Sequence, residues 1–201
     1  MSRPEEIASI IRSLSAPDPT LREQAAAAAF QQGREMARPA VVKWLANQQS
    51  AHTFILNESH FPQSTVGLAV SPENFDLIRI ANGSPRLADV PPDQDAKEYE
   101  LHFPSGVQLD ILTSEQPEGR GAIARFLQKF GEGIQQVELL VRDVDQATKI
   151  LREQFGVEAV YPATRPGADG TRVNFFLAAA PQGKKVLIEL VEAAAKSKAE
   201  D

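Results

Sequence analysis

Acidic residues outnumber basic ones in this 201-residue chain, 27 Asp+Glu against 21 Lys+Arg, for a formal charge of −6, and there is no cysteine. Disulfide scaffolds, thiolate catalysis and Cys-ligated metal centres are therefore excluded, and a net negative chain without a dense basic stretch is poorly suited to nucleic acid. The longest apolar runs are strand-sized, well short of the ~18 residues that cross a bilayer, and no apolar segment follows the start as in a secretory leader, so the chain reads as cytoplasmic, with no membrane partner.

Residues 1–50 read as a helical extension. Ile7, Ile10, Ile11 and Leu14 recur at helical spacing. Pro17 and Pro19 interrupt the pattern, with Asp18 as an N-cap and Pro19 at the first helical position of the next helix. That helix runs from Leu21 to about Gln32 through a run of alanines, with Gly33 as its stop. Pro39 starts a third helix carrying Val41, Val42, Trp44 and Leu45, with Trp44 as a packing anchor. Helices this short need an apolar surface to dock on, in the same chain or in a second copy, and a homodimer is the expected assembly. Residues 51–62 read as a linker with one strand at His52–Leu56.

From residue 63 the period changes from 3.6 to 2. Thr65–Val70 is a strand, and Pro72–Ile80 a helix capped by Ser71. Lys97–Phe103 and Val107–Leu112 alternate as a hairpin around Pro104-Ser105-Gly106. Residues 114–132 form a bridge whose helix presents Ile123, Phe126 and Leu127. The cycle then repeats. Ile134–Val141 is a strand, and Asp143–Phe155 a helix stopped by Gly156. Val157–Tyr161 is a strand, and Val173–Leu177 with Val186–Val191 is a hairpin around Pro181–Lys185. Phe175 and Phe176 place one ring on each face of their strand, one for the core and one for a cavity. Residues 193–201 are an Ala/Lys/Glu-rich tail that frays. The fold class is α+β: two duplicated modules (63–113 and 133–192, joined by 114–132) sharing a curved mixed sheet around a cleft, since one unit alone cannot cover its own sheet face.

Several segments carry a resemblance. Gly121–Leu127 followed by Gly131-Glu132-Gly133-Ile134, the run Arg165–Val173, and Val186-Leu187-Ile188-Glu189-Leu190 are similar to methylmalonyl-CoA epimerases. Val66–Val70, Val90-Pro91 and Gln108–Leu112 stand in register with them in the first half. The resemblance covers residues 63–192 and implies the vicinal oxygen chelate superfamily, with paired βαβββ modules. It implies a small-molecule ligand and one divalent metal (Mg, Mn or Co), weakly held or absent, at the positions of Thr65, Asp110, Gln136 and Glu189. The family pattern has His where Thr65 and Gln136 stand. The remaining oxygen-only set suits hard ions such as Mg²⁺, Mn²⁺ or Ca²⁺ better than zinc or cobalt. Epimerase chemistry moves a proton α to a thioester carbonyl between two bases. The resemblance puts these at Glu189 and near Asp93, with Arg172 and Lys97 as candidates for the enolate charge by sign alone. His52 and His60 lie in the linker; His102, on a strand, is the candidate for a substitute base, and His60 would reach the site if the linker folds back. The function implied is an isomerase or lyase acting on a small acyl thioester or carboxylate. A metal-free binding protein of the bleomycin-resistance type, and a pseudoenzyme using its N-terminal helices for protein interaction, are the alternatives.

Overall fold

The computed structural model describes residues 4–181 and 185–192. One seven-stranded sheet organises them, in the order β2-β3-β1-β4-β7-β6-β5. Its strands are β1 (Ser64–Ala69), β2 (Ala96–His102), β3 (Gln108–Ser114), β4 (Gly133–Val141), β5 (Arg165–Pro166), β6 (Arg172–Ala179) and β7 (Lys185–Glu192). β1 pairs parallel with β3, and β4 parallel with β7. Each parallel pair carries an antiparallel outer strand, β2 or β6, and the two halves meet along the antiparallel β1–β4 seam. The order 2-3-1 is thus mirrored as 4-7-6, a pseudo-twofold arrangement of two equal units.

Each half carries its own crossover helix. α4 (Pro72–Ala81) begins where the Ser71 side chain accepts from the Asn74 N–H. α6 (Val144–Phe155) begins at Asp143, which accepts from Gln146, and ends at Gly156 in the left-handed conformation. The bridging helix α5 (Ala122–Phe130) lies over the opposite face, closing Ala69 and Leu112 under Ile123.

The N-terminal region departs from the sequence expectation. After α1 (Pro4–Leu14), a single helix α2 runs unbroken from Pro19 to Leu45, and α3 (Gln48–Ala51) follows. Gly33 does not stop α2, and Pro39 does not start a new helix. The buried residues of α2 are Ala25, Ala26, Ala29, Gly33, Ala37, Val41 and Trp44, a stripe of mostly small residues about four apart. That stripe lets the helix lie close on the sheet, and burial along its whole length outweighs the glycine's poor propensity and the bond lost at Pro39. Gly33 is small because β1 is near: a Cβ there would fall 2.6 Å from both Val66 methyls.

α2 crosses both modules. Its first half packs Ala25, Ala26 and Ala29 with Val66, Leu68 and Val70. Its second half packs Ala37, Val41 and Trp44 with Val137, Leu139, Ile188 and Leu190. The helices therefore find within their own chain the apolar surface that suggested a second copy. Trp44 is an anchor as expected, stacked on Phe54 at 6.3 Å. Residues 53–56 form only isolated bridges, Phe54 to Val141 and Leu56 to Pro62, rather than a strand. Val157–Tyr161 likewise reduces to one bridge, Ala159 to Phe176, with the short β5 beyond it. Part of the turn expected at 181–185, and the tail expected to fray, lie outside the described residues.

Candidate active site

Alternation sorts the side chains of every strand. Val66, Leu68, Tyr99, Leu109, Ile111, Val137, Leu139, Phe176, Ile188 and Leu190 face the helices and are buried. The other face encloses a cavity of about 470 Å³. Two rows of residues run across this face, fixed by the strand register. One runs Glu100, Asp110, Gly67, Gln136, Leu187. The next runs Thr65, Glu138, Glu189, Phe175. Glu98, two residues before Glu100 on the same face of β2, also lines the cavity.

Five carboxyl groups on the strands thus share one concavity: Glu98, Glu100, Asp110, Glu138 and Glu189, with Asp93 and Asp169 on the loops beside it. Asp110 and Glu189 are only 4% and 8% exposed. Gln136 donates from Nε2 to Glu189 Oε2 at 2.6 Å and to Glu138 Oε1 at 3.1 Å, tying two carboxylates on neighbouring strands. Burial, reinforced by Glu138 and Glu100, pushes the Glu98 carboxyl up to about 8. Burial raises Glu138 to about 7, although hydrogen bonds from Gln136 and Asp110 pull the other way. Asp110 and Glu189 are raised well above the ordinary carboxyl range, first by burial and then by their acidic neighbours. Two buried acceptors on this wall lack a donor: Asp110 Oδ1 and Gln135 Oε1. Gln135 is the extra residue of a bulge, since Gly67 pairs with Gln136 and Leu68 with Ile134, so it enters the cavity beside Gln136.

The mouth has the opposite charge. Arg120 and Arg125 are exposed there and make no ion pair among the described residues. Arg165 lies over the Tyr161 ring and pairs with Asp93. Nearby, Arg86 grips Asp169 through two bonds of 3.0 and 2.6 Å, and the backbones of Asp89 and Asp169 are also joined. A loop of the first module is thereby clasped to one of the second.

Of the four positions carried over from the resemblance, Asp110, Gln136 and Glu189 line this cavity, and Gln136 bonds Glu189 directly. The register also makes Thr65 equivalent to Gln136, and Asp110 to Glu189, about the pseudo-twofold axis. Thr65 itself is not among the cavity-lining residues and donates its hydroxyl to Gln108 Oε1 at 3.4 Å. Asp93 stands at the mouth with a 62% exposed side chain, apart from the buried carboxyls. Arg172 is committed to Asp145 and Glu192 outside the cavity, and Lys97 is exposed on the other face of β2. His52 and His60 are exposed in the linker, and His102 reaches only Glu100, at 2.7 Å. None of the three lines the cavity. Sequence reasoning missed Glu98, Glu100 and Glu138. Alternation with the buried Tyr99 and Leu101 could have placed the first two, and Glu138 lies two residues from Gln136 on the same face.

The donor set does not fit the implied divalent metal. Among the described residues, no three Asp, Glu or His side chains are grouped to hold an ion. Gln136 turns its amide nitrogen, not its carbonyl oxygen, toward the neighbouring carboxylates.

Mirrored parallel pairs joined by an antiparallel seam, with the cavity on the face away from the crossover helices, define the vicinal oxygen chelate architecture. No protein-family model matches the chain, and no curated protein matches it. Solved structures do. The methylmalonyl-CoA epimerase of Mycobacterium tuberculosis is 35% identical over 66% of this chain and 87% of its own, with a TM-score of 0.54. A Streptomyces coelicolor methylmalonyl-CoA epimerase in complex with 2-nitronate-propionyl-CoA is 25% identical over 65% and 96%, TM-score 0.52. A methylmalonyl-CoA epimerase in complex with methylmalonyl-CoA and NH4+ is 26% identical over 65% and 93%, TM-score 0.52. The chain belongs to the methylmalonyl-CoA epimerase family of the vicinal oxygen chelate superfamily. Among the described residues, no helix is long and apolar enough to cross a membrane.

Proposed function

We propose that the protein is an isomerase that moves a proton α to the carbonyl of a small acyl thioester. The observation that carries this reading is the convergence of carboxyl groups from both modules on one enclosed cavity. Acid–base work at neutral pH needs groups whose values lie near it, and burial supplies them. Glu189 is the base, oriented by the 2.6 Å bond from Gln136. It takes the α-proton; the C–H electron pair moves toward the thioester oxygen to give an enolate. Glu98 approaches from the other module and, protonated near pH 7, returns a proton to the opposite face. Its value of about 8 suits that role. Asp93 holds Arg165 at the mouth, where Arg120 and Arg125 are free to meet the anionic part of a coenzyme A ester.

The test is deuterium incorporation into methylmalonyl-CoA in D₂O, followed by mass spectrometry. Incorporation above the buffer rate, lost in Glu189→Gln, supports the reading. No incorporation by the native protein at any pH between 6 and 9 refutes it.

A second reading, a metal-free binding protein, is favoured by one observation: Gln136 is already committed as a donor to two carboxylates. Tight binding of methylmalonyl-CoA without incorporation would select it.

A further inference from the structure

The sheet alone does not close the cavity. Its outer strands are β2 and β5, and two loops join them. Residues 83–95 lead into β2, and residues 165–171 contain β5 and the turn before β6. Backbone bonds run in a chain from one side to the other. The Ala88 N–H donates to the Glu98 carbonyl on β2, the Asp169 N–H to the Asp89 carbonyl, and the Gly167 N–H to the Thr171 carbonyl beside β6. Ala88, Asp93 and Gln94 from the first loop, with Gly167, Ala168 and Asp169 from the second, line the cavity.

This seam between the modules is polar throughout. Each loop offers the other one cation and one anion: Arg86 pairs with Asp169, and Arg165 with Asp93. Asp169 also accepts from the Asp89 N–H at 2.9 Å, and Gln94 Nε2 donates to the Pro166 carbonyl at 3.0 Å. No residue from 83 to 95 is buried, and from 161 to 171 only Gly167 is. Exposed ion pairs are individually weak and are screened by salt. A segment without buried apolar contacts opens far more readily than the whole domain unfolds. The ends of the first loop, by contrast, are fastened. The Arg79 carbonyl accepts from the Ser84 N–H at 2.9 Å, and Arg79 Nε donates to the Pro85 carbonyl at 2.7 Å. At the other end, the Asp95 carboxylate accepts from the Ser114 hydroxyl and the Gln116 N–H. Ser84 and Asp95, where the chain turns into and out of the loop, both have positive φ, 54° and 50°. The loop is therefore fixed at both ends, and charged and polar contacts hold its middle.

We propose that residues 85–94 form a strap that unfastens from residues 165–171 to admit a ligand and refastens over it, with the Arg86–Asp169 pair as the latch. Unfastening widens the mouth between the two loops. The route into the cavity does not depend on what the cavity turns over, so this gate and the acyl-thioester reading can fail separately.

The absence of cysteine gives a clean test. Leu187→Cys and, separately, Val191→Cys each place one thiol in the cavity at a half-buried position. Thermal unfolding confirms that each carrier is folded, and either one suffices. The reaction rate is measured with two uncharged reagents, the bulky N-(1-pyrenyl)maleimide and the small N-methylmaleimide. The latch is cut by Arg86→Gln or by Asp169→Asn; asparagine tolerates the left-handed conformation of residue 169 and removes only the charge. Either cut should speed the pyrenyl reagent about two- to fivefold, the range for loss of one exposed ion pair. Cutting both sides should add little, because one pair is lost. Raising NaCl from about 0.05 to about 0.5 M should speed the reaction in the intact chain more than in the cut ones. The small reagent should respond less than the bulky one. Pyrenyl rates that stay the same with the latch intact or cut overturn the proposal, as does equal acceleration of both reagents, which marks general loosening. Failure of the pyrenyl reagent to react in any variant also overturns it, since the strap then opens no path. Deuterium incorporation into methylmalonyl-CoA judges the thioester reading independently of all these outcomes.

Discussion

Replacing Gly33 by alanine tests how α2 docks on the sheet. The new Cβ would sit 2.6 Å from Val66 Cγ1 and from Cγ2, and 3.2 Å from Val66 Cβ. Carbon atoms in contact prefer ~3.5–4.0 Å. Val66 is completely buried, and a β-branched side chain in a strand has little rotamer freedom, so the helix itself must lift. Overpacking of this kind costs ~1–3 kcal/mol. Alanine returns ~0.8–1 kcal/mol through helix propensity. The net loss lies between about 0 and 2 kcal/mol, a fall in Tm of up to roughly 8 °C for a chain of this length. The sign should reverse in a Val66→Ala background. Removing both methyls costs about 1–3 kcal/mol by itself, but the added alanine then has most of the space it needs, and Gly33→Ala should become neutral or stabilising. Urea unfolding of the four proteins gives the coupling energy directly. If Gly33→Ala stabilises the native chain, or if the two substitutions add within about 0.3 kcal/mol, α2 does not lie on β1 as described.

Stability should fall as pH rises through the neutral range. Glu98 and Glu138 hold protons in the folded state up to about 8 and about 7, while the unfolded chain releases them near the ordinary glutamate value of 4.5, so the folded state binds more protons between these limits. Their contribution is fully present below the unfolded value and is lost as pH climbs through the folded ones; Glu98→Gln should flatten the Tm profile between pH 5 and 8, and an unchanged slope would contradict the assignment. Tyr99→Phe removes a buried hydroxyl that donates to the Phe75 carbonyl at 2.9 Å; thermal unfolding should show a loss of about 1 kcal/mol, with deuterium incorporation unaltered because Tyr99 faces the helices. Asp169→Ala releases Arg86 and the Asp89 N–H together; hydrogen exchange at 86–95 and 165–171 should quicken, with global stability little changed since the pair is exposed.

Much of the module architecture was legible because its signals are local. Period-two alternation, the Ser71 and Asp143 caps and the Gly156 stop all act within a few residues, and the elements they mark appear with bounds close to those expected. The departures have a common cause. Gly33 and Pro39 carry strong local meaning as helix punctuation, yet α2 passes through both, because strands far along the sequence, β1 under Gly33 and β4 and β7 under the second half, reward an uninterrupted small-residue stripe. Val157–Tyr161 failed as a strand for the converse reason: apolar content suggested an edge, but only Ala159 finds a bridge on β6. At the site, four positions could be carried over by resemblance, but the company they keep could not. Whether Gln136 offers an oxygen or a nitrogen depends on Glu138 and Glu189, which meet it only through the β1–β4 and β4–β7 registers.

The equivalence of Gly67 and Glu138 shows why a duplicated scaffold need not hold a symmetric site. Strand register forces these two positions to be equivalent, on either side of the seam and beside Gln136 and Thr65. An absent side chain at 67 leaves room for Gln136: a Cβ there would meet Gln136 Cγ at 2.6 Å. The Gln136 side chain can therefore lie close against Gly67. A carboxylate at 138 then gives its nitrogen a second acceptor beside Glu189. One small residue and one acidic residue at equivalent positions thus commit the central amide as a donor, and this explains why the donor set does not fit the implied ion. Two substitutions distinguish the contributions. Glu138→Gly restores the symmetry and frees one bond from Gln136. If the commitment of the amide disfavours a divalent ion, a thermal shift with Mn²⁺ should be larger in Glu138→Gly than in the native chain. Gly67→Ala, which pushes Gln136 aside without altering charge, should lower stability and produce no such gain. Equal Mn²⁺ shifts in the native and Glu138→Gly proteins would break the link between the glutamine's orientation and the site's chemistry.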